Sequence, residues 1–366
     1  MVAALLLATA TLDAQDAIRQ RAAVVQALDY LRKNEAAHIE KQIQLSQIPS
    51  PTFQEAKRGV QLAAEFRRVG LTDIETDARG NVLGWRKGES ERALVIAAHL
   101  DTVFPIETDV TVKREPGRLT GPGIGDDARG LAALLGVAEA LRDADIRTKK
   151  SLLFVADCCE EGLGDLLGIK YLLQQGKYKD QIDAFLSIDG IVPARIVNGA
   201  LASKRYRITI SGPGGHSWEN FGRPNPAHAL GRVIARFAGI KVPAEPKTTY
   251  NVGTIGGGTS INSVPFYNWM EVDMRSESDV ELERLEQQLL EAVRLGVDEE
   301  NRFRAESGVK LTAESKLLTV RYGGKTPPDA SLVQAAMWAN RSLGFTPVLG
   351  TASTDSNVPI NMGIPA

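Results

Sequence analysis

Three short apolar runs in the first half of the chain, residues 93–98, 152–156 and 184–188, predict strands. They are apolar nearly throughout, which is typical of parallel strands that are buried on both faces. A helical pattern covers residues 130–144, between the first two runs. Alternating strands and helices predict an α/β domain, and such domains bind ligands at the carboxyl ends of their strands.

The segments on either side add helices and a hairpin to this domain. Residues 14–47 predict one long helix or two, ending at the Pro-containing turn of residues 48–51, and residues 332–343 predict another helix. Residues 71–85 predict a hairpin around a turn at residues 78–81.

The middle of the chain has a different pattern. Residues 206–210 alternate like a half-buried strand, and helical patterns cover residues 226–237 and 280–295. This is an α+β pattern inserted into an α/β pattern. We therefore predict a possible partial signal segment at residues 1–15, a main domain at 16–202 and 318–366, and an insert at 203–317.

Residues that can bind metal ions follow each apolar run. They are His99 and Asp101 after the first run, Asp126 and Asp127 in the Gly-rich turn before the helix, Glu160 and Glu161 after the second run, and Asp189 after the third. Paired carboxylates repel one another unless a cation neutralises them or they share a proton. One histidine among carboxylates, without cysteines at finger spacing, suits a catalytic zinc ion, or manganese or cobalt. A carboxylate can also bridge two ions about 3.5–4 Å apart, and Asp126 is the candidate bridge.

The order of these motifs is His-x-Asp, Gly-x-Gly-x-x-Asp-Asp, Glu-Glu-Gly and Ser-x-Asp-Gly. It resembles the dinuclear zinc exopeptidases and deacylases, which include glutamate carboxypeptidase, aminoacylase, acetylornithine deacetylase, succinyl-diaminopimelate desuccinylase and the tripeptide aminopeptidases. The similarity extends from about residue 48 to the end of the chain. It implies a zinc-peptidase catalytic domain with a mixed sheet flanked by helices, and an inserted α+β lid or dimerisation domain.

The resemblance also implies which residues hold a pair of zinc ions. His99, Asp126 and Asp189 would hold one ion, and Asp126 would bridge to a second ion that is held also by Glu161. Cobalt or manganese could replace zinc in such a site.

The same resemblance implies the catalytic groups. Glu160 would be the general base, which takes a proton from the attacking water and returns it to the leaving nitrogen. Asp101 would accept a hydrogen bond from the imidazole of His99 and fix its tautomer. The peptide bond between Asp126 and Asp127 is often cis in this family.

The insert contains a second group of candidates. By resemblance, His216 is the imidazole that crosses to the active site of a partner subunit and stabilises the oxyanion, which implies a homodimer. Asn262 and Arg275 match positions that grip the carboxylate or carbonyl of the substrate. The alternative for Arg275 is a structural role in which it ties strands together.

The other histidines reveal one departure from the family. His38 is expected to be solvated, and His228 is expected to be structural. The family supplies its last zinc ligand as a histidine near the C-terminus, and no histidine follows His228 here. We expect a sequence cut short before that ligand. A chain that is complete as it stands would bind one zinc ion well and show little activity.

Three functions are consistent with these residues. The first is a metal-dependent exopeptidase that cleaves amide bonds of small peptides, and the sequence leaves open whether it is an aminopeptidase or a carboxypeptidase. The second is an N-acyl amino-acid deacylase. The third, from another class, is a catalytically impaired protein that binds a single metal ion.

Composition agrees with a folded enzyme. A chain of 366 residues with 43% hydrophobic residues can bury two cores, and a formal net charge of −2 argues against binding to nucleic acid. No apolar run is long enough to cross a bilayer.

Neither the N-terminus nor the two cysteines establish the cellular compartment of the protein. Residues 2–10 resemble the later part of a secretory signal without its basic start. The protein would be periplasmic or secreted if this is a clipped signal peptide, and cytoplasmic if it is only an apolar helix start. Cys158 and Cys159 are neighbours that do not indicate a compartment, and we expect them to be packed rather than metal-bound.

Overall fold

Two sheets, each with its own hydrophobic core, organise the chain. The computed structural model describes residues 16–304 and 308–366, so the predicted signal segment lies outside the described residues. The first unit comprises the described residues up to Gly199 together with Lys325–Ala366, and the second unit comprises Ala200–Gly324. In the described parts of the chain, no helix combines the length and the apolar character that a bilayer crossing needs.

Helices and strands are numbered in chain order. The helices are α1 (Ala22–Lys33), α2 (Glu35–Ser46), α3 (Ala56–Arg68), α4 (Ala128–Asp143), α5 (Leu167–Gln174), α6 (Pro226–Ala238), α7 (Asp279–Phe303), α8 (Ser331–Ser342) and α9 (Asn357–Asn361). The strands are β1 (Thr72–Thr76), β2 (Val82–Arg86), β3 (Ser90–His99), β4 (Lys113–Glu115), β5 (Arg118–Thr120), β6 (Lys150–Asp157), β7 (Ile182–Ser187), β8 (Arg195–Ala200), β9 (Ala202–Ser211), β10 (Gly215–His216), β11 (Thr248–Gly257), β12 (Ser263–Val264), β13 (Tyr267–Ser276), β14 (Thr312–Arg321), β15 (Gly324–Lys325) and β16 (Val348–Ala352).

The first unit contains a five-stranded mixed sheet with the order β1, β2, β6, β3, β7. The three apolar runs form β3, β6 and β7, and β3 is parallel to both of its neighbours. The predicted hairpin forms β1 and β2, and β2 pairs antiparallel with β6. His99 is the register partner of Asp157, so β3 and β6 end together at one edge of the sheet.

Helices cover both faces of this sheet, which is why its central strands are apolar on both sides. On one face, Phe66 of α3 and Leu134 of α4 share a core with Phe154. On the other face, Ile169 of α5 packs in a core with Val155. The mixed sheet with flanking helices confirms the predicted fold class.

The N-terminal part forms the two helices α1 and α2, and the pattern of the sequence did not predict α3. The prediction that His38 is solvated is wrong. Because α2 packs on α4, His38 is half-buried and its Nε2 lies 3.0 Å from Glu139 Oε2. His228 of α6 is exposed, its Nδ1 lies 3.8 Å from Oε1 of the buried Glu300, and its structural role stays a prediction.

The second unit contains a four-stranded antiparallel sheet with the order β11, β13, β9, β14. Helices α6 and α7 pack on one face, where Val233, Met270 and Leu285 belong to one core. The opposite face carries charged side chains, such as Arg205 and Asp273, which form an ion pair. One buried face and one charged face account for the alternating pattern of this region.

The chain enters and leaves the second unit on neighbouring strands. Ser203, near the start of β9, is the register partner of Arg321 at the end of β14. The two ends of the unit are therefore held side by side by the ladder between these strands.

A buried carboxyl group of the central sheet and one of the C-terminal segment lie close together. Asp157 ends β6, Asp355 precedes α9, and both side chains are buried. Burial raises the pKa of Asp157, and burial together with the charges of Asp157 and Glu160 raises the pKa of Asp355. The folded protein therefore keeps protons on this pair at pH values where the unfolded chain has lost them.

The buried pair predicts a pH dependence of stability for the metal-free protein. Because the folded-state pKa values are raised, the stability that these groups contribute is present at low pH and is lost as pH rises. Each unit of pKa shift is worth about 1.4 kcal/mol of unfolding free energy. We expect the urea midpoint of Asp355→Asn to fall less than that of the wild type between about pH 5 and about pH 8.

The matched control is Asp183→Asn. Hydrogen bonds to Lys150 and Arg92 outweigh burial and lower the pKa of Asp183, so its loss should not reduce the fall in the midpoint. An Asp355→Asn variant with the pH dependence of the wild type would contradict the explanation.

Candidate metal centre

His99 ends β3 at the edge of the sheet where β6 also ends. Its Nε2 lies 2.9 Å from Asp126 Oδ1. Its Nδ1 lies 3.1 Å from the main-chain oxygen of Asp101 and 3.5 Å from the Asp101 carboxylate. Burial alone would lower the pKa of His99, but hydrogen bonding to Asp101 and Asp126 outweighs burial and raises that pKa. Contacts at both ring nitrogens therefore fix the orientation of the imidazole.

Asp126 lies in a turn that α4 holds in place. The peptide bond between Asp126 and Asp127 is cis. The buried Asp127 carboxylate caps α4 by accepting a hydrogen bond from the backbone N–H of Gly130 at 3.0 Å, and it accepts another from the backbone N–H of His99 at 3.1 Å. One carboxylate thus ties the start of α4 to the end of β3, and Asp126 faces His99 as a result.

Asp101 holds the loop that follows β6. Its carboxylate accepts hydrogen bonds from the backbone N–H groups of Glu160 and Glu161, at 3.0 and 2.9 Å. It also accepts one from the hydroxyl of Thr52, at 2.8 Å. The sequence related Asp101 to His99 alone, and the structure adds this contact with the two glutamates.

Two groups of possible metal ligands share His99. One group consists of His99, Asp126 and Asp189, and the other consists of His99, Glu160 and Glu161. Within each group, the possible ligand atoms lie within 4.8 Å of one another. The first group is the set that the sequence assigned to one zinc ion, and this assignment stays a prediction.

The carboxylates of these groups crowd one another. Burial and the charge of Glu160 raise the pKa of Glu161 to about 7. Burial and the charge of Asp126 raise the pKa of Asp189. A divalent cation relieves such repulsion, and one imidazole with several carboxylate oxygens is a donor set that suits zinc, cobalt or manganese. The residues therefore fit a divalent metal ion.

A buried guanidinium lies close to Asp101 and Asp127, which hold the site from behind. Arg58 of α3 donates hydrogen bonds to the main-chain oxygens of Leu100, at 2.7 Å, and of Ile48, at 2.6 Å. Burial lowers the pKa of Arg58 to about 10, so the side chain is still charged at neutral pH. Its hydrogen bonds tie α3 to the residue that follows His99, and its charge offsets part of the nearby negative charge.

Both cysteines are buried and free. The thiol of Cys158 donates to the main-chain oxygen of Arg79 at 3.0 Å, and the thiol of Cys159 donates to Glu55 Oε1 at 3.4 Å. These contacts agree with the expectation that the cysteines are packed.

The second unit, described by itself, brings His216 and Asn262 together. His216 of β10 is the register partner of Ser263 in β12, and the backbone N–H of Ser217 donates to the main-chain oxygen of Asn262 at 2.9 Å. Nδ1 of His216 accepts from the backbone N–H groups two and three residues further on, at 3.3 and 3.4 Å. These contacts occupy Nδ1 as an acceptor and leave Nε2 as the ring nitrogen that can donate.

Arg275 is separated from these two residues within the second unit. It lies eight positions after Tyr267, the first residue of β13, which is roughly 26 Å along an extended strand. Its guanidinium donates to Asp273 at 2.8 Å. The structure thus shows Arg275 in an ion pair, and its substrate-binding role stays a prediction.

Several side chains that hold the first-unit site were not identified from the sequence. They are Thr52, Glu55, Arg58 and Asn81. None belongs to a metal-binding motif. One feature of the sequence could have indicated two of them. Glu55 and Arg58 continue, at helical spacing, the row of Leu62 and Phe66 that forms the buried side of α3.

Residues 95–365 match the sequence profile of Peptidase family M20/M25/M40. The chain is 26% identical over 250 residues to acetylornithine deacetylase of Vibrio parahaemolyticus, in an alignment that covers 63% of this chain and 64% of that protein. The chain thus spans slightly less than two thirds of the length of this curated relative.

Two solved structures show the same fold. A tripeptidase of Staphylococcus aureus matches with a TM-score of 0.72 and 23% identity, over 91% of this chain and 88% of that chain. A Bacillus subtilis protein, described as a dinuclear metal-binding peptidase of the M20 family, matches with a TM-score of 0.60 and 16% identity, over 91% of this chain and 87% of that chain. The resemblance inferred from the motifs is confirmed, because the matched profile covers most of the sequence. This protein belongs to Peptidase family M20/M25/M40.

Proposed function

We propose that this protein is a metal-dependent hydrolase that cleaves an amide bond in small peptides. One observation carries the proposal: four separate segments bring an imidazole and four carboxylates into two groups of ligand atoms that share His99. Membership of a peptidase family supports a hydrolase. The similar tripeptidase supports small peptides as the substrate class.

The proposed site holds two divalent ions, with zinc as the first choice and cobalt or manganese as substitutes. His99, Asp126 and Asp189 would hold one ion, and Asp126 would bridge to a second ion held also by Glu161. When bound, the ions would polarise the scissile carbonyl and lower the pKa of the attacking water. The similar Bacillus subtilis protein, described as dinuclear, supports the number of ions.

Glu160 is the proposed general base. Its side chain is buried and lies within a group of possible ligand atoms together with His99 and Glu161. Its backbone N–H is bound to Asp101, so the start of the side chain has a fixed position. From there the carboxylate would accept a proton from the water and deliver it to the leaving nitrogen.

His216 is the proposed donor to the substrate oxygen. Its Nδ1 accepts two backbone N–H groups, so Nε2 is the nitrogen that would donate to a developing oxyanion. Asn262, next to it, would bind the carbonyl or carboxylate of the substrate, and we assign Arg275 the same role with less structural support. His216 would act in the active site of a partner subunit in the proposed homodimer, in which the second unit would be a lid and dimerisation domain.

A second candidate function is an N-acyl amino-acid deacylase. The observation that favours it is the alignment with acetylornithine deacetylase. Both reactions attack an amide bond with an activated water, so the same residues would serve either substrate class.

Exposed apolar side chains lie close in sequence to the proposed ligands. They are Val103, Leu163, Ile191 and Val192. Ile191 also approaches the turn before Asp126, because a Cβ atom on Gly125 would lie 2.6 Å from its Cγ2. Groups of large exposed apolar side chains mark binding surfaces. We therefore propose a substrate with a bulky apolar group beside the scissile amide.

Replacing Glu160 with glutamine tests the general base. We expect two zinc ions per chain in both proteins, and a kcat that is about 100-fold to 10,000-fold lower in Glu160→Gln, since the amide cannot accept the proton. Metal content and hydrolysis of di- and tripeptides are measured on the same samples. Glu91→Gln, at the opposite end of β3 and exposed, is the control that should retain full activity.

The outcomes of this experiment separate the candidate classes. Unchanged activity in Glu160→Gln would rule out Glu160 as the base. A wild-type protein with one zinc ion and no hydrolysis of any amide would instead favour a single-metal binding protein.

A substrate panel tests the substrate class. We expect kcat/KM to be about 10-fold to 200-fold higher for substrates with leucine or phenylalanine beside the scissile bond than for those with aspartate. Leu163→Ser should reduce this ratio, and Val60→Ser, on an exposed part of α3, should not. Comparing peptides with N-acetyl amino acids in the same panel decides between peptidase and deacylase. Equal rates for leucine and aspartate substrates would refute the apolar preference.

The proposed homodimer predicts the mass of the protein in solution. Light scattering should give twice the 39.5 kDa of one chain, because His216 would have to reach a second copy. A mass equal to one chain over the whole accessible concentration range would exclude the dimer.

A further inference from the structure

The loop after β6 is held by side chains at four consecutive backbone N–H groups. The N–H of Cys158 donates to Asn81 Oδ1 at 3.1 Å, and that of Cys159 donates to Glu55 Oε1 at 3.1 Å. Those of Glu160 and Glu161 donate to the carboxylate of Asp101. This loop is therefore fixed by residues that are distant in sequence, and not by a helix or a sheet ladder.

Glu55 is buried, with 8% of its surface exposed, and it forms no ion pair within the described residues. Its Oε1 atom accepts from the backbone N–H of Phe53 at 2.9 Å, from the backbone N–H of Cys159 and, at 3.4 Å, from the thiol of Cys159. One carboxylate oxygen thus joins the turn before α3 to the residue that precedes Glu160.

The backbone at this point needs such support. Cys159 has a φ of 61°, in the left-handed region that residues other than glycine rarely adopt. A left-handed residue changes the direction of the chain, so it determines where the following two side chains point. A residue keeps this unfavourable conformation only when the surrounding structure holds it in place. At Cys159, the hydrogen bond from its backbone N–H to Glu55 contributes to this.

The other walls of the loop are closed by backbone. Asn81 also donates to the main-chain oxygen of Gly168 at 2.9 Å, and the N–H of Gly168 donates to the main-chain oxygen of Cys158 at 3.2 Å. A Cβ atom on Gly164 would lie 2.6 Å from the main-chain oxygen of Cys159. The loop therefore has little room for a second arrangement on this side, and Glu55 supplies the side-chain acceptor for the N–H of Cys159.

We propose that Glu55 is a positioning residue that sets the conformation of Cys159 and thereby directs Glu160 and Glu161 toward His99. The inference rests on the proposed function, because it assigns Glu55 a role in presenting the base and one metal ligand. It adds a residue that lies in none of the metal-binding motifs of the sequence.

Three variants separate the hydrogen bonds of Glu55 from its burial and charge. Glu55→Leu keeps a similar volume but leaves the N–H groups of Phe53 and Cys159 without their acceptor. Glu55→Gln keeps an acceptor oxygen and removes the charge. Glu139→Leu is the matched control, because Glu139 is similarly buried in α4 and is bound to His38 and Arg68.

The first measurement is hydrogen exchange at residues 158–161 in the metal-free proteins. We expect the Cys159 amide to exchange about 10-fold faster or more in Glu55→Leu, because the buried acceptor has been removed. In Glu55→Gln and Glu139→Leu, this amide should exchange within about 3-fold of the wild type.

The second measurement is zinc affinity, by competition with a chromophoric chelator, followed by kcat and KM for the best small peptide. Loss of a residue that orients a ligand typically costs about 10-fold to 100-fold in metal affinity or activity. In Glu55→Leu, we expect the affinity for the more weakly bound zinc ion and the kcat to fall by such factors. KM should change by less than about 3-fold. Glu55→Gln should remain close to the wild type in all three quantities.

Two results would overturn the proposal. One is a Glu55→Leu protein that matches Glu139→Leu in exchange and zinc affinity, and the other is a Glu55→Gln protein as impaired as Glu55→Leu. If Glu55→Leu does not fold, Glu55→Asp replaces it, because a shorter side chain withdraws the oxygen and should weaken zinc binding where glutamine does not.

The exchange and zinc measurements do not require hydrolysis. A wild-type protein that binds zinc but cleaves no amide would refute the proposed function and leave both measurements to decide the role of Glu55. A wild-type protein that binds no zinc would refute the metal site, and the exchange rates alone would then decide whether Glu55 holds Cys159.

Discussion

Negative charge concentrated at one edge of a sheet is the constraint on which the first unit depends. Asp126, Glu160, Glu161 and Asp189 gather around a single buried imidazole. Carboxylates at such distances repel one another, so other bonds must hold them in place before any cation arrives. Those bonds come from groups behind the site: Asp127 ties α4 to β3, Asp101 binds the loop after β6, and Arg58 binds the main-chain oxygen after His99. The first unit therefore uses much of its buried polar contact to hold a site that would otherwise open.

The strands of the first unit and the ligands at their ends could be predicted from the sequence. Burial on both faces leaves an uninterrupted apolar run, and β3, β6 and β7 each show one. Parallel strands end at the same edge, so the polar residues that follow the runs had to meet. The contacts of His38 and Glu55 could not be predicted in the same way, because they depend on how α2 and α3 pack on their neighbours. A polar residue in a helix, or just before one, has the same appearance in the sequence whether its side chain faces water or a buried polar group.

In the second unit, too, the elements could be predicted from the sequence, but the contacts between distant side chains could not. Its alternating strand and its two helices were predicted, since one buried face produces a regular period. The meeting of His216 and Asn262 depends on β10 and β12, which are two residues long and too short to leave a pattern. The position of Arg275 depends on the length of β13, whose ten residues carry the chain away from Asn262. Local pattern determined the elements, whereas strand pairing and strand length determined which side chains became neighbours.

The pairing of β9 with β14 has a consequence for how this architecture can change. Because Ser203 and Arg321 are register partners, the first and last strands of the second unit lie side by side where the chain enters and leaves the unit. An insert whose ends are already neighbours can be lengthened, shortened or exchanged without pulling on the strands before and after it. Replacing this cassette of about 125 residues would therefore leave the acidic edge of the other sheet in place.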